Sequence, residues 1–338
     1  MKTVTVAGGG LAGLALGLAL RRRTVSVQVL EASIYPRHRV CGEFVSGIGE
    51  QEIRELGLED IFAQAARPRE TAWFDGAKAL LRAPLPDIAY GMSRHLLDHA
   101  MAERFQAAGG WLKTGERFSA AASEAEGVVL ATGRPRRASS WIGLKTHFTD
   151  LPLLADLEMH LGRGAYVGLT SVEQGRVNVS GLFRQTSALS GGPQALAHAV
   201  RGAGLEKLAE RLLAAQADAS SVKGVSHFHL GWQMHRDDAV RIGDAAAIIP
   251  PFTGNGMAMA LQSGLIAAEP LAAWSRGELT WSEARRRIAR MHRKVFARRL
   301  WWARGLQAVL LRPWGRRVCA RAIMSGWLSF EYFYRKVR

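Results

Sequence analysis

The stretch Val4-Thr5-Val6-Ala7-Gly8-Gly9-Gly10-Leu11-Ala12-Gly13-Leu14-Ala15-Leu16-Gly17 decides how the chain is read. Its start suits a buried strand, its glycines a tight turn, and its Leu/Ala run a helix. Gly8, Gly10 and Gly13 satisfy the spacing G-x-G-x-x-G. In that motif the first glycine turns the chain, the second lets the backbone approach a diphosphate, and the third lets helix and strand pack closely. The amino end of the helix then offers free N–H groups and a positive dipole end to phosphate. A second apolar run, Val25 to Leu30, ends at Glu31. That carboxylate stands at roughly the 20-residue spacing of a group that grips ribose hydroxyls. A glycine-rich strand–helix turn with no ligand is the alternative, and the second run speaks against it.

Around this stretch, composition sets the limits. The chain has 338 residues and 48% hydrophobic residues. Two domains, or one with a large insertion, are expected, and large-scale disorder is not. Cys41 and Cys319 are far apart, so neither a disulfide framework nor a C-x-x-C clamp is formed, and a reducing, cytoplasmic setting is the simplest reading. Lys2 and the apolar run to Leu20 mimic a signal peptide, but the run holds five glycines and meets Arg21-Arg22-Arg23 in place of a cleavage site. No targeting segment and no membrane span is expected. The net charge is +16, concentrated after residue 281 in Arg285-Arg286-Arg287, Arg298-Arg299, Arg316-Arg317 and Arg335 to Arg338. Such clusters suit anionic lipid, nucleic acid or acidic ligands, and also an ordinary solvated helix face.

Read in order, residues 1–31 form a βαβ unit and 35–49 a loop. A helix is expected over Gln51–Ala66, a hairpin over Thr71–Phe74 and Ala79–Arg82, and an amphipathic helix over Ser93–Ala108 with Ser93 as N-cap. Trp111–Thr114 and Val128–Ala131 read as strands, and the polar stretch Pro135–Ser140 as a boundary. Alternation over 156–162, 165–171 and 176–183, with a helix over Pro193–Ala217 and a strand over Val222–Leu230, points to a mostly antiparallel inserted domain. A buried strand returns at Ala239–Asp244. A Pro/Gly loop to Gly256, a helix from Met257 to Trp274 and a helical tail broken at Pro313 follow.

Three separated stretches make one pattern: the Gly8/Gly10/Gly13 turn with Glu31, Val129-Leu130-Ala131-Thr132-Gly133, and Gly243-Asp244-Ala245-Ala246 with Pro250 to Gly256. The pattern resembles the FAD-dependent oxidoreductases of the para-hydroxybenzoate hydroxylase and geranylgeranyl reductase superfamily. The resemblance implies an α/β fold: a Rossmann-like FAD-binding domain of the glutathione reductase type (residues 1–70, 91–140 and 235–280), an inserted, mostly antiparallel sheet domain for substrate (71–90 and 141–234) and a basic helical C-terminal region (281–338). It implies that Gly8, Gly10, Leu11, Ala12 and Gly13 hold the FAD pyrophosphate, and Glu31 and Ala32 the adenosine ribose. Thr132 and Gly133 pass close to the dinucleotide, Gly243 and Asp244 meet the ribityl chain, and Pro251, Gly254, Asn255, Gly256 and Met257 meet the flavin ring. Ser93-Arg94-His95-Leu96-Leu97-Asp98 looks like the family's Arg-x-x-Leu-Asp helix, which puts Arg94 by the cofactor. The segment Arg37–Glu43 resembles the cysteine–glycine segment of the reductase branch, which puts Arg39, Val40 and Cys41 beside the flavin.

Two catalytic candidates follow. Cys41 assists chemistry at the flavin, or is a small buried hydrophobe. His147, at the start of the inserted domain, is an acid/base group with an ordinary pKa near 6.5 or a satisfied structural histidine. His227 and His229 share a strand face without a third ligand, so no metal site is expected. There is no second G-x-G-x-x-G, so an NAD(P)H donor binds transiently or another protein donates. Ala247 stands where hydroxylases carry histidine, and Gly231–His235 does not match the halogenase tryptophan motif. The resemblance thus implies an FAD-dependent monooxygenase for a lipophilic aromatic or polyketide-like substrate, or a reductase of isoprenoid double bonds. A non-catalytic basic protein that binds a membrane or nucleic acid is the reading from another class. The aromatic–arginine mixture after Trp301 suits peripheral contact with an anionic membrane through 281–338, or a packed helical tail. Nucleic acid is not the expected partner.

Overall fold

A computed structural model describes residues 1–119, 122–134, 139–184, 192–226, 228–235 and 237–338. The boundary stretch 135–140 is described only at Ser139 and Ser140, and His227 lies outside the described residues. The chain runs β1 (Val4–Ala7), α1 (Leu11–Arg21), β2 (Val27–Glu31), β3 (Phe44–Ser46), α2 (Glu50–Leu56), α3 (Glu59–Ala63), β4 (Glu70–Asp75), β5 (Lys78–Pro84), β6 (Ala89–Gly91), α4 (Arg94–Ala107), β7 (Trp111–Thr114) and β8 (Val128–Leu130). Then come β9 (Trp141–Thr149), β10 (Leu157–Gly162), β11 (Ala165–Ser171), β12 (Val177–Arg184), α5 (Ala195–Gly202), α6 (Glu206–Ala214), β13 (Gln216–Ser226), β14 (Gly231–Trp232), β15 (Val240–Arg241) and β16 (Ala247–Ile248). Four helices close the chain: α7 (Gly256–Arg276), α8 (Trp281–Leu310), α9 (Pro313–Met324) and α10 (Phe330–Lys336).

The first sheet is parallel, with strand order β15-β8-β1-β2-β7. Its central strand β1 and helix α1 are almost wholly buried, which explains the continuous apolar run around the glycine turn. Helices α1 and α7 touch backbone to backbone: a Cβ on Gly264 would sit 2.6 Å from the Leu16 nitrogen. Leu14, Leu20, Met101, Phe105, Leu261 and Leu271 fill the core between α1, α4 and α7.

The second sheet has order β13-β9-β12-β11-β10-β4-β5 and is antiparallel apart from the parallel β10–β4 pair. Its two faces differ. Val177, Val179 and Phe183 share the face that packs under α5 and α6 with Leu196, Val200, Leu208 and Leu212. The opposite face is built of three cross-strand rows. Gly143, Leu182, Tyr166 and Leu161 form one; Lys145, Ser180, Gly168, Met159 and Trp73 the next; His147, Asn178, Thr170, Leu157 and Thr71 the third.

Two expected helices are each two pieces. The 51–66 helix divides at Gly57 and the 193–217 helix at Gly204, both in the left-handed region (φ 67° and 79°). That conformation ends a helix and is open to glycine. The strand expected over Val222–Leu230 begins earlier, at Gln216, because it pairs along β9. Among the described residues, no helix is long and apolar enough to cross a membrane.

Candidate functional site

A cavity of about 1180 Å³ lies between the carboxyl ends of the parallel strands and the three-row face of the second sheet. One end is made of backbone. Gly8 (φ 112°) packs so tightly under β8 that a Cβ would sit 2.3 Å from the Ala131 oxygen. A Cβ on Gly13 would sit 2.0 Å from the Gly8 oxygen. Over Gly10 the situation is reversed: only Arg94 Nη2, 3.8 Å away, comes within reach of a Cβ. Gly10 is also the N-cap of α1, and no side chain caps that helix. Free N–H groups and the positive end of α1 therefore face open space.

Of the residues singled out in the sequence, the structure brings Gly8, Gly10, Leu11, Ala12, Glu31, Ala32, Arg39, Val40, Cys41, Arg94, Thr132, Gly133, Asp244, Pro251, Gly254, Gly256 and Met257 to the wall of this cavity. Four lie elsewhere. Gly13 serves the strand–helix contact. Gly243 backs onto Ala12, where a Cβ would sit 2.7 Å from the alanine Cβ. Asn255 is fully buried and donates from Nδ2 to the Ser46 carbonyl at 3.0 Å, so it ties the loop down rather than facing the cavity. His147 is the fourth and is treated below.

Glu31 is held in place by its surroundings. Its carboxylate accepts from the Gly9 N–H (2.7 Å) and the Ser33 N–H (2.9 Å) and pairs with Arg37 at 2.7 Å. Burial raises its pKa, but Arg37 and these donors more than offset that, so the group lies below the usual carboxylate range. Arg94 pairs with Asp98 through two hydrogen bonds, at 2.6 and 2.7 Å, one turn along α4. Asp98 is fully buried, so removing either partner would strand a charge, at about 3–5 kcal/mol. Asp244 has no hydrogen-bond donor among the described residues, and burial holds its carboxyl above its ordinary value against Arg134 and Arg94.

His147 does not reach the cavity. It is 0% exposed, and its Nε2 lies 2.5 Å from Glu43 Oε2. Of the two expectations for His147, the acid/base group at the pocket does not fit this place, and the satisfied structural histidine does: it is buried against the Glu43 carboxylate. Glu43 also pairs with Lys145 at 3.2 Å and accepts from the Arg94 N–H at 3.0 Å. Burial pushes its carboxyl up, and His147 and Lys145 pull it below the ordinary range. With Glu173, which accepts from the Ser93 N–H at 2.9 Å, it places a second carboxylate at the amino end of α4. Ligand-capable atoms of His38, His147 and Asp218 lie within 4.8 Å of one another. The Lys145 ammonium, 3.1 Å from His38 Nδ1, already supplies the cation there.

The sequence reading assigns Glu43 no role. Its signal there is a single acid inside the apolar run to Val45. The other end of the cavity was not foreseen residue by residue. It is lined by Thr71, Trp73, Leu80, Met159, Leu161, Tyr166, Leu182, Val225 and Phe228 from the sheet, by Phe252, and by Leu306, Leu310, Ala320, Ile323, Phe330 and Phe333 from the C-terminal helices. Two of its polar atoms, Trp73 Nε1 and Thr71 Oγ1, are buried without a hydrogen-bond partner.

No protein-family model and no curated protein sequence matches the chain. Solved structures do. P. aeruginosa PqsL in complex with 2-aminobenzoylacetate has a TM-score of 0.75 at 17% identity, over 95% of this chain and 100% of that one. The flavin-dependent brominase Bmp2 has a TM-score of 0.73 at 17% identity, over 99% and 92%. Klebsiella pneumoniae HpxO complexed with FAD and uric acid has a TM-score of 0.66 at 17% identity, over 98% and 93%. The chain therefore has the fold of the FAD-dependent monooxygenases and flavin-dependent halogenases.

Proposed function

We propose that this chain is an FAD-dependent monooxygenase that hydroxylates a lipophilic aromatic or polyketide-like substrate, with NAD(P)H as a transient donor. The observation that carries the reading is the continuity of one cavity from the open backbone cradle over Gly10 to an apolar end at Met159, Leu161, Tyr166 and Leu182 of the second sheet and Phe252. Structural neighbours crystallised with 2-aminobenzoylacetate and with FAD and uric acid support a small-molecule substrate.

The residues present fit FAD. The open space at Gly10 and the uncapped amino end of α1 suit a diphosphate, and Glu31 and Asp244 offer carboxylates to ribose and ribityl hydroxyls. The amino end of α7 reaches the cavity through Gly256 and Met257, so its dipole favours negative charge there. Bound FAD would supply two-electron transfer and reaction with dioxygen. The chain's own part is to hold it, and to exclude water and seat the substrate against the apolar side chains Met159, Leu161, Tyr166, Leu182 and Phe252. Residues 1–70, 91–140 and 235–280 would form the FAD-binding unit, and 71–90 and 141–234 the substrate unit. Peripheral contact of 281–338 with an anionic membrane belongs to the same reading.

A reductase of isoprenoid double bonds is the second reading, favoured by the Cys41 segment at the cavity wall. The test is an absorbance spectrum of the purified protein, then NADH and NADPH oxidation with lipophilic phenols, with and without dioxygen. A yellow protein whose product gains an oxygen atom supports the first reading. The same product formed without dioxygen sinks it, and a colourless protein with no thermal gain from FAD sinks both in favour of a basic surface-binding protein.

A further inference from the structure

The C-terminal roof of the cavity has two faces, and the outer one is unaccounted for. Helix α9 turns Arg316, Cys319, Ala320 and Ile323 to the cavity. It is hooked there by Arg316, which pairs with Asp75 at 3.0 Å and donates to the Gly162 carbonyl at 3.1 Å. On its other side Trp314, Val318 and Met324 are 58%, 57% and 64% exposed, and Trp327 just beyond it is 85% exposed. Steps of three and four residues put Trp314, Arg317, Val318, Arg321 and Met324 on one face. Arg312, Arg317 and Arg321 are exposed, and none pairs with a carboxylate among the described residues. Residues 281–338 hold sixteen basic side chains against two acidic ones, within a chain whose net charge is +16.

Large apolar side chains left in water beside unpaired cations disfavour an isolated surface. Val318 and Met324 give nothing to a nucleic-acid phosphate backbone, whereas a bilayer interface rewards tryptophan at headgroup level, short aliphatics below it and arginine beside anionic headgroups. We propose that the outer face of α9, with Trp327, docks on an anionic lipid bilayer. The contact is peripheral, since no described helix can span. Where the lipophilic-substrate reading of the cavity holds, and this clause rests on it, the roof of the chamber lies on the phase that dissolves its substrate. The surface that docks and the helix that lines the chamber are then one element.

The test is co-sedimentation of the full chain with vesicles of phosphatidylcholine alone, or with about a third phosphatidylglycerol, at near-physiological salt. Binding is expected to the anionic vesicles only and to weaken as salt rises. One arginine near such a surface is worth about fivefold in partitioning, so Arg317→Glu with Arg321→Glu is expected to weaken binding by at least about twentyfold. Trp314→Ala with Trp327→Ala is expected to weaken it by about tenfold and to abolish quenching of tryptophan fluorescence by brominated lipid. Leu154→Ser, at a 52% exposed site on another loop, is expected to change nothing. Equal binding to neutral vesicles overturns the proposal, as does anionic binding indifferent to both α9 variants. So does a chain that binds duplex DNA or an acidic protein through these residues while ignoring vesicles. Flavin absorbance read in the same samples separates the two claims: a colourless, vesicle-binding chain keeps the docking and sinks the flavin, and a yellow, non-binding chain does the reverse.

Discussion

The two ends of the cavity are made of different material. At the α1 end the wall is backbone: glycines set the approach, and N–H groups and helix dipoles set the polarity. At the sheet end the wall is side chain: Met159, Leu161, Tyr166 and Leu182 of the sheet, Phe252 and the roof helices line it with apolar groups. A backbone-built end tolerates almost no change where chain meets chain, and a side-chain-built end tolerates many. The largest expected effect tests this within one motif. Gly13→Val would drive a side chain into the Gly8 carbonyl, only 2.0 Å from its Cβ, and is expected to cost more than about 4 kcal/mol or to prevent folding. Gly10→Val meets open space and a backbone that any residue adopts (φ −84°). It is expected to melt within a few degrees of the parent and yet to lose FAD. Thermal unfolding with flavin absorbance decides, and a stable, fully yellow Gly10→Val protein breaks the comparison.

This difference in material also explains what could be read in advance. The glycine turn, Glu31, the Gly133 strand end and the loop to Gly256 were legible because a backbone cradle leaves its mark at fixed spacing in the sequence. The sheet end leaves no such mark. Which of Trp73, Met159, Tyr166 and Leu182 point inward depends on register between strands far apart in the chain. His147 shows the limit most clearly. It lies in β9 of the second sheet, but its surroundings are set by Glu43, more than a hundred residues away, and spacing carries no such information. The breaks at Gly57 and Gly204 were missed for a simpler reason: helical periodicity continues across them, and only the left-handed glycine marks the end.

The next effect concerns acid. His292 is buried under α7, with Nε2 3.2 Å from Ser263 Oγ, which in turn accepts from the Gly243 N–H at 2.9 Å. This chain supports the turn that carries Asp244. Burial lowers the His292 pKa to about 4. The unfolded chain therefore takes up this proton first, at about 6.5, and the folded chain only near 4. Stability should be constant above pH about 6.5 and fall as pH drops toward 4, by up to about 3 kcal/mol from this group. His292→Asn should flatten that slope in denaturant titrations across the window. An unchanged slope would remove His292 as its source.

At the sheet end a donor without a partner can be removed without loss to the free protein. Trp73→Phe deletes an indole N–H that makes no hydrogen bond, so stability is expected to stay within about 1 kcal/mol of the parent. The smaller ring loosens the apolar wall that Trp73 lends to the cavity, so KM for a lipophilic substrate should rise about threefold to tenfold with flavin content unchanged. An unaltered KM would mean that Trp73 takes no part in seating the substrate.

The smallest expected effect lies where the two ends meet. The Cys41 and Gly42 carbonyls accept from Asn178 Nδ2 at 3.1 and 2.8 Å, so the segment is pinned to the sheet by its backbone. Burial pushes the Cys41 thiol above its ordinary pKa, which leaves little thiolate at neutral pH. A nucleophile or proton donor in use would need the opposite shift or a neighbouring base, whereas the sulfur accepts from the Glu43 N–H at 3.5 Å. Cys41→Ala is therefore expected to lose less than about 1 kcal/mol and less than about threefold in kcat. Asn178→Ala, which frees the backbone and leaves the thiol in place, should do more. The reverse order, with Cys41→Ala reducing kcat tenfold at full flavin content, would assign the sulfur itself to the chemistry and the segment's backbone to mere support.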